Sequence, residues 1–270
     1  MLKVSNNTEQ FNILQSKNIK TPETVRTKKA TNPIISGFQK DLYVKAPQKS
    51  YINPNTSVPV SEIYSPKQLL KAYLNAQYLN FLINTNPNIK DILNSKGIAI
   101  QAHPENISKI SNSHLTTTTA YALQIADKMN LSQADKRVLE QACVFHDFGK
   151  VLIPKEILEK PDMLTAEEKE IMDLHSQLGY ELLSNTGINK RVLNLVKNHH
   201  NTQNNDILGQ ILTTADIYSA LREQRSYKTP MSEKEAISIL EQKADKGELN
   251  KDTVETLKSI LSSSSTPYAA

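Results

Sequence analysis

Three short stretches constrain this chain more than anything else in it. Ser132-Gln-Ala-Asp135, Thr165-Ala-Glu-Glu168 and Ser232-Glu-Lys-Glu235 each place a hydroxyl three residues before an acid and just ahead of an apolar helical period. Such boxes open helices, because the hydroxyl accepts from the N3 amide while the acid reaches back to the cap. Helical spacing also runs through 66–84, from Pro104 to about Met129, and through 188–200 and 206–222. The second of these ends near Asn130, Gly187 breaks the chain, and a last helix runs from Asp252 to Leu261. With only 7 glycines and no tryptophan, the chain reads as an all-α bundle of about seven to nine helices.

Ahead of Ser65-Pro66, a cap followed by proline at the first helical position, the pattern disappears. Residues 1–60 are rich in Asn, Lys, Thr and Pro without a sustained apolar period and are expected to be a disordered leader. Their first 50 positions hold nine Lys/Arg against three acids, +6 of a total of +4, so 51–270 sum to about −2. The basic charge therefore belongs to the leader, and nucleic acid is not an expected partner except weakly through it. The expected organisation is leader 1–60, N-terminal helices 61–103, a main domain 104–262 and a flexible tail 263–270.

Cys143 is the only cysteine, which excludes an intrachain disulfide. No apolar run reaches the roughly 18 residues of a membrane span, and the N-terminus lacks a signal-peptide pattern. A cytoplasmic protein is the expectation, and a homodimer is compatible with it.

Against this background the helix ending at "QACVFHDFGKVLIP" is odd. Its apolar run closes on His146-Asp147, two groups that are costly to bury without partners. Gly149 reads as a C-terminal helix cap. Other ionisable residues fall on neighbouring helices in the same way: His114, His175, His199-His200 and Asp216. One helical histidine has a bland structural explanation, but five with two aspartates on five successive helices point to a shared site. Imidazole and carboxylate donors suit Mn, Fe, Zn or similar ions. Seven donors are too many for one tetrahedral ion and suit two, with Asp147 between them. Two such ions activate a bridging water and clamp both oxygens of an in-line phosphoryl displacement.

This ordered set, with Gly149-Lys150 after the dipeptide, resembles the metal-dependent HD-domain phosphohydrolases. The nearer likeness is to their HD-GYP branch, which hydrolyses cyclic dinucleotides, chiefly cyclic di-GMP. It extends over about 104–245, through "FHDFGKVLIPKEILEKPDMLTAEEKEIMDLHSQLGYELL" and "ADIYSALREQRSYKTPMSEKEAISIL". The resemblance implies metal ligation by His114, His146, Asp147, His175, His199, His200 and Asp216. It also implies catalytic roles for Asp147 and Lys150, with Lys150, Arg225 and Lys228 contacting substrate phosphate. Lys150 beside the ligands adds positive charge where the transition state gains negative charge.

The chain departs from the branch after the paired histidines. The text "HHNTQNNDILGQILTTAD" has Asn201 where the branch has a glutamate, a shortened loop and no Gly-Tyr-Pro. Ile110 stands where some members carry a glutamate for a third ion, so two ions are expected. The expected activity is hydrolysis of a nucleotide or cyclic dinucleotide. A mononucleotide phosphohydrolase and a non-catalytic nucleotide-binding module are the alternatives.

Overall fold

The computed structural model describes residues 66–106, 112–202, 206–224 and 229–264. The expected leader 1–60, Ile110, Arg225 and Lys228, and residues 265–270 of the expected tail lie outside these residues.

All regular structure among the described residues is helical. In chain order the helices are α1 (Pro66–Tyr73), α2 (Ala76–Thr85), α3 (Pro87–Ser95) and α4 (Asn112–Lys128). Then come α5 (Gln133–Phe145), a 3-10 turn (Phe148–Leu152), α6 (Lys155–Leu158) and α7 (Ala166–Asp173). The series closes with α8 (His175–Leu183), α9 (Lys190–Asn198), α10 (Ile207–Arg222), α11 (Glu233–Asp245) and α12 (Lys251–Ser264). No helix among the described residues is long and apolar enough to cross a membrane.

The caps explain most boundaries. Thr165 and Ser232 form complete capping boxes with Glu168 and Glu235. At Ser132 only half the box forms: the hydroxyl accepts from the Asp135 amide, while the Asp135 carboxylate takes the Ser132 hydroxyl and Arg191. Asn130 ends the stretch after α4 in the left-handed region, at φ 57°.

The all-α fold is as expected, but it divides into more pieces than periodicity alone predicts. The segment 66–84 splits because the Asn75 side chain accepts from the amides of Gln77 and Tyr78 and starts α2 afresh. The helix expected from 165 to 183 splits at Leu174. There the His175 ring takes the Met172 carbonyl and the Ser176 hydroxyl takes that of Asp173, both in competition with the helical ladder. The last helix continues past Leu261 to Ser264.

Helix α10 is buried on nearly every face, which marks it as the centre of the bundle. It packs against α4, α5, α9 and α11, and α12 covers α4 and α11. Two polar ties fix α12 to the central helix: Thr214 Oγ1 to Thr253 Oγ1 at 3.1 Å, and Gln210 Oε1 accepting from the Asn250 amide. Rings from α1, the end of α5 and the 3-10 turn meet as Tyr73, Phe145 and Phe148, with centroids 5.8–6.3 Å apart. Helix α3 is tied to α8 through Asn86 and Asn88, which both donate to the buried Glu181 carboxylate.

Gly149 is not a left-handed helix cap. It lies inside the 3-10 turn, where that turn crosses α8 without room for a side chain. A Cβ there would come 1.9 Å from the His175 carbonyl oxygen and 2.5 Å from the Gly179 amide nitrogen. Among the described residues the left-handed glycines are Gly97, Gly187 and Gly247, and of these Gly187 was the expected break.

Candidate metal centre

The helices deliver their polar residues to one place. His114 lies in the first turn of α4, and His146 caps the C-terminus of α5. Asp147 precedes the 3-10 turn, and His175 is the first residue of α8. His199 caps α9, His200 follows it, and Asp216 projects from the middle of α10. Helix ends suit this task, because adjacent residues can diverge from the helical spiral there and reach the same space. All of these except His200 are buried, with Asp216 the most accessible at 9%. His200 is exposed at the rim.

Two candidate ion-binding groups result. One comprises His114, His146 and Asp147, the other His175, His199 and His200. Asp216 joins the first, its Oδ1 lying 3.0 Å from His114 Nε2 and 3.5 Å from His146 Nε2. Asp147 stands between them. Its Oδ1 is 3.4 Å from His175 Nε2, while its Oδ2 is 3.4 Å from His146 Nε2 and 4.0 Å from His114 Nε2. His103 stays apart, beside Glu105 at 3.3 Å.

The orientation of the rings follows one rule. His146, His175 and His199 each place Nδ1 at 2.6–2.8 Å from the carbonyl oxygen three residues earlier, that of Cys143, Met172 and Val196. A carbonyl only accepts, so each Nδ1 carries the proton and each Nε2 presents a lone pair when the ring is neutral. For His146 that Nε2 is buried with no hydrogen bond among the described residues, the nearby carboxylates being out of line. His175 Nε2 lies 3.1 Å from both His199 Nε2 and His200 Nε2. The lone pairs of His175 and His199 face each other at this distance and repel unless a cation lies between them.

The spacing fits such a cation. Donors at about 2.1 Å from one ion, at octahedral or tetrahedral angles, are separated by roughly 3.0–3.4 Å. The separations across the centre run from 3.0 to 3.5 Å, except for His114 Nε2 to Asp147 Oδ2 at 4.0 Å.

Without an ion the groups perturb one another strongly. Burial pushes His146 down, but Asp147 and Asp216 beside it prevail and raise it to about 10. His175 is lowered to about 3 by burial and by the Lys150 ammonium. Burial and the neighbouring rings of His200, His175 and His146 hold His199 well below the ordinary imidazole range. Burial opposes ionisation of both aspartates, yet His146 and Lys150 hold Asp147 low, and His114 and His146 hold Asp216 low. The carboxylates are thus ionised, and two of the rings neutral, as ligands must be.

Lys150 donates to Asp147 Oδ2 at 2.8 Å and is partly exposed, so its ammonium lies at the edge of the centre. Three contributors carry no signal of their own in the sequence. Thr213 donates to the His199 carbonyl at 2.7 Å, Ser219 Oγ lies 3.1 Å from His114 Nδ1, and Glu223 Oε2 is 3.9 Å from that same nitrogen. Thr213 and Ser219 lie on α10 three residues before and three after Asp216, on its face of the helix, and Glu223 caps the C-terminal end.

Comparison with known proteins agrees with this geometry. The family described as "HD domain" matches residues 89–251. The "3'3'-cGAMP-specific phosphodiesterase 2" of Vibrio cholerae is 27% identical over 190 residues, 63% of this chain and 35% of that protein. The "Cyclic di-GMP phosphodiesterase response regulator RpfG" of Xanthomonas campestris is 32% identical over 130 residues, covering 43% of this chain and 34% of that protein. A cyclic di-GMP phosphodiesterase of Thermotoga maritima is 33% identical over 132 residues, 44% of this chain and 36% of that one. The chain thus spans about a third of the length of these relatives. In fold it is similar to Bd1817, an HDG"Y"P protein from Bdellovibrio bacteriovorus, with a TM-score of 0.50 and 16% identity over 73% of this chain and 68% of that one. The family match takes in every histidine and aspartate of the centre, and the chain belongs to the HD-domain family, related to the HD-GYP phosphodiesterases.

Proposed function

We propose that this chain is a metal-dependent phosphohydrolase that cleaves a phosphodiester of a cyclic dinucleotide. The observation that carries the reading is the set of buried histidines whose Nδ1 atoms are tied to carbonyls, leaving Nε2 of His146 and His175 toward Asp147 and that of His199 toward His175. The relatives named for cyclic di-GMP and 3'3'-cGAMP supply the substrate class.

His114, His146 and Asp216 would hold one divalent ion, and His175, His199 and His200 a second, with Asp147 shared between them. Mn or Fe suits this nitrogen and oxygen set. Bound there, such ions would supply Lewis acidity and activate water for in-line displacement at phosphorus. Asp147 neutralises charge at both positions. Lys150 is close enough to leave Asp147 for a phosphate oxygen and stabilise the charge that develops there. Arg225 and Lys228 are proposed as further phosphate contacts. His200, at the rim of the centre, would be the ligand nearest to entering substrate.

We assign this activity to residues 104–262, with α1–α3 bracing the ends of α5 and α8. The stretch after His200 runs "NTQNND" into α10, with no Gly-Tyr-Pro in it. A smaller substrate, a mononucleotide, is therefore the second reading. The test is a hydrolysis panel of cyclic di-GMP, 3'3'-cGAMP, linear dinucleotides and mononucleotides, with Mn or Fe supplied. Cleavage of a cyclic dinucleotide abolished by Asp147→Ala supports the proposal. No cleavage of any of them overturns it.

A further inference from the structure

Among the histidines of the centre, His114 orients its ring by a different device. His146, His175 and His199 use main-chain carbonyls, which no side-chain substitution removes. His114 instead directs Nδ1 to the hydroxyl of Ser219, at 3.1 Å. That hydroxyl is buried and also lies 3.4 Å from the His114 carbonyl oxygen. A serine has one proton to give, and the carbonyl can only accept it. Once the hydroxyl donates to the carbonyl, its oxygen is free to accept from Nδ1–H. The Glu223 carboxylate, 3.9 Å from the same nitrogen, favours a proton there, whereas Asp216, 3.0 Å from Nε2, draws the proton to Nε2 until a cation takes that place. With the proton held at Nδ1, Nε2 presents its lone pair toward Asp216 Oδ1, which lies at 3.0 Å, a ligand-to-ligand distance. With the proton on the other nitrogen, the same pair would form a closed hydrogen bond and exclude an ion.

We infer that Ser219 is a positioning residue for the metal centre: it selects the His114 tautomer that can ligate, and so controls the affinity of the His114–His146–Asp216 position. The inference rests on the metal-centre reading above. It also assigns a purpose to the placement of Ser219 one helical turn beyond Asp216, since the ligand and the residue that prepares its neighbour then share one face of α10. Removing such an outer partner of a ligating histidine typically lowers metal affinity by roughly 10–100-fold.

The test uses the full chain, stripped of metal and titrated with Mn2+ against a chromophoric chelator, in wild-type, Ser219→Ala and Ser219→Thr forms. Unfolding midpoints of the metal-free proteins are measured alongside, and the tautomer is read from 15N shifts of the histidine rings. The expected result is two ions per wild-type chain. Ser219→Ala weakens one of them by about tenfold or more while leaving the other, with loss of the His114 Nδ1–H signal. Ser219→Thr, which restores a hydroxyl, restores the affinity. Unchanged binding of both ions in Ser219→Ala overturns the inference and leaves the metal centre standing. Equal weakening in the Ala and Thr forms, tracking a lowered unfolding midpoint, assigns Ser219 to packing alone and overturns it too. A wild-type chain that binds no Mn2+ overturns the centre and the inference together.

Discussion

His175 and His199 face each other Nε2 to Nε2 at 3.1 Å, and each ring has its Nδ1 proton committed to a carbonyl of its own helix. Two neutral rings so placed set lone pair against lone pair in a buried space. The arrangement is strained without a cation and relaxed with one.

Metal should therefore act as a stabiliser of the fold. Thermal unfolding measured with saturating Mn2+ and with a chelator should differ, the metal-bound form unfolding at the higher temperature. An ion present at 100 times its dissociation constant contributes about 2.7 kcal/mol. Identical midpoints in the two conditions would contradict the reading of these rings as ligands.

The metal-free protein should be most stable near pH 6.5, and the sign follows from two opposed shifts. Unfolded imidazole titrates near 6.5. His175, lowered to about 3, contributes stability that is present above 6.5 and is lost as pH falls toward 3. His199, also lowered, adds to this acid limb. His146, raised to about 10, contributes stability that is present below 6.5 and is lost as pH rises through 10. A midpoint that rises steadily from pH 5 to pH 9 in the chelated protein would contradict the assigned shifts.

Gly149→Ala tests the crossing of the 3-10 turn over α8. The added methyl meets main-chain atoms of His175 and Gly179, which cannot rotate away as a side chain could. A loss at the upper end of the roughly 1–3 kcal/mol seen for overpacking is expected in denaturant unfolding. Because the same backbone carries His175, metal binding should weaken in parallel. A variant with wild-type stability would show that the turn and α8 do not pack this closely.

Much of this was legible in the chain, and the exceptions have physical causes. His146-Asp147 stood out because a helix rarely ends its apolar face on two ionisable groups, and Thr165 and Ser232 announced their helices through complete capping boxes. The breaks at Asn75 and Leu174 were not legible, since each depends on a side chain outcompeting the helical ladder. Helix α3 carried a readable start in Asn86-Pro87, a cap followed by proline. Gly149 was misread because a glycine needed for close approach looks the same in sequence as one needed for a left-handed turn. Ser219 was missed because a serine inside a helix gives no signal until its partner across the bundle is known.

Lys150→Met separates binding from chemistry. The ammonium contacts Asp147 but belongs to neither ion-binding group, so both ions should still bind. Hydrolysis should fall by a factor on the order of 100 or more, the scale seen when one group stabilising transition-state charge is removed. Retained activity would remove Lys150 from the mechanism, and loss of metal would place it among the structural supports of the centre.

Seven side chains from five segments of the bundle are proposed to hold two ions. The most direct measurement is metal content per chain after reconstitution with Mn2+ or Fe2+, in the wild type and in Asp147→Ala. Two ions per wild-type chain are expected, with a clear loss in the variant, because one carboxylate serves both positions. Stoichiometry that is near zero in the wild type, or unaltered by Asp147→Ala, would contradict the proposal.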